Sequence, residues 1–186
     1  MGMSLRLIRC VVSGLLTNFE HDPQAALLAL LTLGYCLPPE VVLQARWVDF
    51  DLRERVWTIE SGRLPLTGPI LDLLARYGAA TGDRGEYMFT ACCGGHLSKA
   101  QALRRVSQLS GGWWTLATLR AWALKGCPDL ASGDLRAEIL REYAGRGAST
   151  AQVVGLEREL ETRLRASVEA WHDVLLMRRS VDELAG

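Results

Sequence analysis

The chain has 186 residues, 49% of them hydrophobic, with 21 Lys and Arg balanced by 21 Asp and Glu. That describes one globular domain, residues 1–186, long enough to bury a sizeable core, and it excludes a disordered, collagen-like or low-complexity chain. A formal net charge of zero also separates it from strongly basic, autonomous nucleic-acid binders, whose affinity comes largely from Lys and Arg neutralising phosphates.

Near the N-terminus, Arg6 and Arg9 precede Cys10-Val11-Val12, but Ser13-Gly14 interrupts the run and Glu20-His21-Asp22 follows with no small-residue cleavage site. A cytoplasmic protein is therefore expected. The longest apolar stretch, Ala25 to Leu37, is too short to span a membrane and reads as a core helix buried on all sides. Pro38-Pro39 breaks it and starts a second helix, Glu40 to about Arg46.

Between Trp47 and Ile70 the hydrophobic period changes to two, which predicts three short antiparallel strands: Trp47 to Leu52, Val56 to Glu60, and Leu64 to Leu66. Arg53-Glu54-Arg55 and Ser61-Gly62-Arg63 are short enough to serve as hairpin connections. Helices are expected again over Pro69 to Ala80, over Lys99 to Leu109 capped by Ser98, and from Leu116 to about Gly126 capped by Thr115. Asp134 is the expected cap of a further helix through Tyr143, ended by Gly145-Arg146-Gly147. A long amphipathic helix over about 156–180 follows, with Leu156, Leu160, Leu164, Val168, Trp171 and Leu175 forming one stripe. The fold class is mainly α with a small three-stranded antiparallel sheet.

The five cysteines, Cys10, Cys36, Cys92, Cys93 and Cys127, are odd in number and mostly far apart, which points to thiols in a reducing compartment rather than to a disulfide framework. Cys92, Cys93 and His96 form a lopsided set with no second cluster, so no metal is expected. His21, His96 and His172 are widely separated, with no Ser-His-Asp arrangement and no phosphate-cradling glycine loop beside them. Hence no cofactor, nucleotide or membrane partner is expected. Strand and helix positions place most of the six tryptophans in the core; Trp113-Trp114, beside Gly111-Gly112, is the pair of which a loop can expose one ring.

Four stretches, in this order and spacing, carry a family resemblance: Leu30-Leu31-Thr32-Leu33-Gly34, Ala45-Arg46-Trp47-Val48-Asp49-Phe50-Asp51, Gly94-Gly95-His96-Leu97-Ser98-Lys99, and Thr115-Leu116-Ala117-Thr118-Leu119-Arg120. Over roughly residues 20–155 the chain resembles the catalytic domain of tyrosine recombinases, the phage integrase family. The resemblance implies a site in which a tyrosine attacks a phosphodiester while two arginines, a lysine and two histidine-type residues stabilise the transition state and move protons. Most of those positions are changed. No arginine lies between Gly34 and Ala45, where the first is due. Ala117 stands at the first histidine position, Arg146 at the second, and Arg63 replaces the lysine. The nucleophile is due near Val154-Gly155, and no tyrosine follows Tyr143. Arg120 alone keeps its place.

The resemblance therefore implies a chain without strand-transfer chemistry, acting as a DNA-associated regulatory or accessory factor in a phage, plasmid or other mobile-element setting. Candidate phosphate contacts are Arg120, Arg146, Arg63, Arg104, Arg105, Lys99 and Lys125, and Arg63, Arg120 and Arg146 are expected to line one pocket. The stretch before the match is too short for the N-terminal DNA-clamping domain of family integrases, which lowers the expected affinity for DNA alone. In the family the C-terminal segment often docks on a neighbouring protomer, so Leu156, Leu160, Leu164, Val168, Trp171 and Leu175 are candidate oligomer contacts, with folding back onto the chain's own domain as the other outcome. An alternative function is a protein-protein or oligomerisation module that has lost DNA contact. A third, a tyrosine donated in trans by a partner integrase, is opposed by the missing arginine and histidines.

Overall fold

The computed structural model describes residues 5–60, 62–82, 85–91, 95–127 and 150–176, with residues 150–160 described as helix backbone. At its centre is α2, Pro23–Tyr35. Asp22 starts this helix: its Oδ1 accepts the Ala25 N–H at 3.0 Å, and Pro23 occupies the first turn, where a missing N–H costs nothing. Every residue from Ala25 to Tyr35 is buried, as a segment apolar on all faces requires. Around it stand α1 (Leu5–Thr17), α3 (Pro39–Leu43), α4 (Gly68–Thr81), α5 (Lys99–Ser110), α6 (Leu116–Gly126) and α7 (Thr150–Leu176), each touching α2. Full burial of Leu27, Leu28, Leu31 and Leu33 stabilises the fold by about 1.5–3 kcal/mol per side chain.

Helix α1 is not anticipated from the sequence, where Ser13-Gly14 looks like a break. Both residues lie on its exposed face, while Ile8, Val12 and Leu15 recur at helical spacing and are buried. Helix α3 ends at Leu43, short of the expected Arg46.

The sheet has three antiparallel strands in the order β1 (Phe50–Asp51), β2 (Val56–Ile59), β3 (Gly62–Pro65). Two expectations are corrected. Trp47–Asp49 is a 3₁₀ turn rather than the start of a strand. The Asp49 carboxylate accepts the Arg46 N–H at 2.8 Å while the Asp49 N–H donates to the Arg46 carbonyl, a local pairing that competes with the ladder. Ile59 also pairs directly with Gly62, so Gly62 and Arg63 belong to β3 and not to the connection. In the first hairpin, Asp51 Oδ1 accepts the N–H groups of Arg53 and Glu54, and Arg55 takes a left-handed φ of 56° to close the turn. Trp57 fixes the sheet on the core, stacked on Phe50 at 4.9 Å and edge-on to Tyr35 at 5.6 Å.

Helix α7 packs on α1, α2 and β3. Val168, Trp171 and Leu175 are buried there and Leu164 is half-buried, so the chain's own core occupies this part of the stripe considered for a neighbouring protomer. The side chains of Leu156 and Leu160 lie outside the described residues, as do the expected helix from Asp134 to Tyr143 and its glycine exit. Among the described residues no helix is long and apolar enough to cross a membrane.

Candidate functional site

Arg120 sits where α2 ends. A helix leaves its last four carbonyls without intrahelical partners, and those of α2 are buried in the core. Side chains from distant elements supply the missing donors. Trp171 Nε1 donates to the Leu33 carbonyl at 3.1 Å, His172 Nε2 meets the Gly34 carbonyl at 3.1 Å, and Arg120 Nε donates to the Cys36 carbonyl at 3.0 Å. Cys36 itself adopts a left-handed φ of 57°, the conformation that terminates helices, which turns its carbonyl towards α6. A guanidinium at the negative end of a helix also interacts favourably with its dipole.

His172 is buried between helices. Since a carbonyl only accepts, Nε2 carries the proton towards Gly34, and Nδ1 accepts from the Thr67 hydroxyl at 2.8 Å. Burial holds the imidazole neutral, its pKa lowered to about 4 against the favourable carbonyl contact. Position 34 has no room for a side chain, because a Cβ there would lie 2.9 Å from His172 Nε2. His172 is thus a fixed neutral strut.

Arg120 has charged neighbours. Thr115 Oγ1 caps α6 by accepting the Thr118 N–H at 3.1 Å, and Arg120 follows in the first turns. Ser98 and Gln101 form the reciprocal capping box of α5, which places Lys99 beside Glu40 of α3 in an ion pair. The Glu40 carboxyl is held below the ordinary range, first by its hydrogen bond from Lys99 and to a lesser degree by the charge of Arg120. The corner between α2 and α3 therefore gathers two cations around one carboxylate. The Cys36 thiol beside it is no nucleophile at neutral pH: burial, reinforced by Cys127 and opposed by Arg120, raises its pKa to about 12.

The other candidate residues lie elsewhere. Arg63, exposed on β3, faces Glu161 of α7 at 3.9 Å. Eleven residues, about 16 Å of helix, separate Glu161 from His172, so Arg63 meets α7 some three turns away from the end of α2. Arg105 approaches Asp22 at 3.7 Å. Arg104 and Lys125 are exposed and have no ion pair among the described residues. Arg146 lies outside the described residues, as do Cys92 and Cys93. Among the described residues no three His, Cys, Asp or Glu side chains converge as metal ligands do.

Charge is nevertheless unevenly distributed. Residues 97–127, which include α5 and α6, hold Lys99, Arg104, Arg105, Arg120 and Lys125 and no Asp or Glu, five positive charges in a chain whose total is zero. An open cleft of about 640 Å³ lies apart from this pair of helices, lined among others by Arg46, Asp49, Trp57, Glu60, Tyr87 and His96. Arg46 is engaged there by Glu86 at 3.3 Å.

Sequence reasoning did not identify Glu40, Cys36 and His172 as parts of this site. Arg120 lies 84 positions from Cys36, and His172 lies 138 from Gly34; no local pattern signals such pairings. Compared with family models, curated proteins and solved structures, the chain matches none.

Proposed function

We propose that this chain is a tyrosine-recombinase-like domain without strand-transfer chemistry, serving as a DNA-associated regulatory or accessory factor of a mobile element. The observation that carries the reading is the local basic excess of residues 97–127: five basic side chains and no acidic one, of which Lys99 and Arg105 pair with Glu40 and Asp22 of other elements while Arg104 and Lys125 are exposed with no ion pair among the described residues. Arg104 and Lys125 are the side chains available for phosphate, while Arg120 and Lys99 brace the corner of α2 and α3. A catalytic role is disfavoured because Arg120 already serves as a helix cap and Cys36 keeps its proton.

A second reading, a protein-interaction module, is favoured by Val48 and Leu52, which are 81% and 46% exposed beside the sheet. Binding to duplex DNA across a salt series separates the two. Phosphate binding gives an affinity that falls steeply with salt and is reduced by Arg104→Ala with Lys125→Ala; no binding at low salt assigns the fold to protein contacts.

A further inference from the structure

Trp113 stands apart from the other tryptophans. Trp57 and Trp171 are buried, and Trp47, Trp114 and Trp122 pack half-buried against the core, but Trp113 is 87% exposed. It is held there by a defined turn. After α5, Gly111 and Gly112 take φ of 57° and 81°, left-handed values that side chains other than glycine rarely adopt. The Gly111 N–H donates to Gln108, the Gly112 N–H to Ser107, and the Trp113 N–H to the Ser110 carbonyl at 3.1 Å. Trp114 points inward and anchors the turn while Trp113 points outward. A large aromatic ring left in water gains nothing for the fold.

We infer that Trp113 is a stacking platform for an unpaired base, with the exposed Arg104 of α5 and Lys125 of α6 receiving phosphates of the same strand. Charge selects this occupant: the turn joins two helices that carry no acidic residue, and although Lys99 and Arg105 pair with Glu40 and Asp22 of other elements, Arg104, on the helix leading into the turn, is exposed and has no ion pair among the described residues. A flat ring within a cationic field is the combination that binds single-stranded nucleic acid, since every base offers a π-face whatever its identity. The inference rests on the reading of the chain as DNA-associated, and it specifies distorted, frayed or single-stranded DNA as the form recognised.

The test uses the full chain with fluorescein-labelled oligothymidine and with a labelled duplex, read by anisotropy and by quenching of tryptophan emission. Oligothymidine is expected to bind and to quench. Trp113→Ala is expected to weaken that binding about tenfold and abolish most of the quenching, and Trp113→Phe to restore much of the affinity without the quenching. Duplex affinity should stay within about twofold, because paired bases present no free face. As Trp113 makes almost no packing contact, the variants fold, which circular dichroism verifies. Single-strand affinity unchanged in Trp113→Ala, with duplex binding intact, overturns the stacking site and leaves the DNA reading standing. Binding of neither DNA overturns both, and binding of poly-glutamate as tight as that of oligothymidine overturns the choice of nucleic acid as occupant.

Discussion

Lowering the pH tests the strut that His172 forms between α7, α2 and α4. Folded, its pKa is about 4; unfolded, it returns to the ordinary 6.5. Because the folded value is depressed, the native state binds the proton less well than the unfolded chain. The stabilisation is fully present above about pH 6.5 and is lost as pH falls towards 4. The complete shift of 2.5 units corresponds to about 3 kcal/mol, of which about 2 kcal/mol is lost between roughly pH 7 and pH 5, above most carboxylate titration. Urea unfolding followed by tryptophan fluorescence at several pH values measures this directly. His172→Gln keeps an N–H for the Gly34 carbonyl and does not titrate, so its stability should be lower at neutral pH yet nearly flat across the window. If His172→Gln showed the same pH slope as the parent, the loss would belong to other groups and the assignment of a neutral buried His172 would be refuted.

Other perturbations address the same framework. At Gly126 a Cβ would lie 2.5 Å from the buried Trp171 ring, so Gly126→Ala must displace the indole and weaken its hydrogen bond to Leu33; a loss of about 2–3 kcal/mol in urea denaturation is expected. Gly14, on the exposed face of α1, has nothing within 4 Å of its Cβ position, and Gly14→Ala should raise stability by about 0.5–1 kcal/mol in the same assay. Leu31→Ala, which empties a fully buried position of α2, should cost about 2–5 kcal/mol, read as a shift in urea midpoint at unchanged slope. Iodoacetamide at mildly alkaline pH should label the exposed Cys10 and spare Cys36, as peptide mass spectrometry would show, because Cys36 is buried with a pKa of about 12.

Where structure follows from local chemistry, it could be read in advance. Ser98 and Thr115 each cap the helix expected of them, and the apolar stretch from Ala25, read as a helix buried on all sides, is the central helix. The three-strand sheet was legible from its period, but its edges were not. An Asp49 side chain that closes a 3₁₀ turn competes with the alternation around it, and Gly62 extends β3 by pairing with Ile59. Helix α1 was missed because Ser13-Gly14 resembles a break, although Ile8, Val12 and Leu15 kept helical spacing.

At the site, the order of residues marked Arg120 as special and left its partner invisible. Its bond runs to a backbone carbonyl, and the direction of that carbonyl depends on the left-handed Cys36. The C-terminal stripe was equally ambiguous. An amphipathic helix fits its own core or another's, and Val168, Trp171 and Leu175 pack at home because Trp171 and His172 complete the carbonyls of α2. Exposure of one ring of Trp113-Trp114 was foreseeable from the adjacent glycines, whose left-handed turn sets the two side chains on opposite sides.

Arg120 also shows why the obvious substitution is a poor probe of binding. Its truncation leaves the Cys36 carbonyl without its donor, at a cost of about 1–3 kcal/mol, so weakened DNA affinity in Arg120→Ala would mix unfolding with lost contact. Arg104 and Lys125 are exposed and can be removed with little effect on stability. The most direct measurement is therefore the salt dependence of duplex binding for the parent chain and for Arg104→Ala with Lys125→Ala. About two phosphate contacts, Arg104 and Lys125, predict a log-log slope near −1.8, a fall of roughly 12-fold between about 50 and 200 mM salt, and little slope left in the double variant. An affinity that is absent at low salt, or a slope that the double variant leaves unchanged, would contradict the assignment of α5 and α6 as the DNA-facing surface.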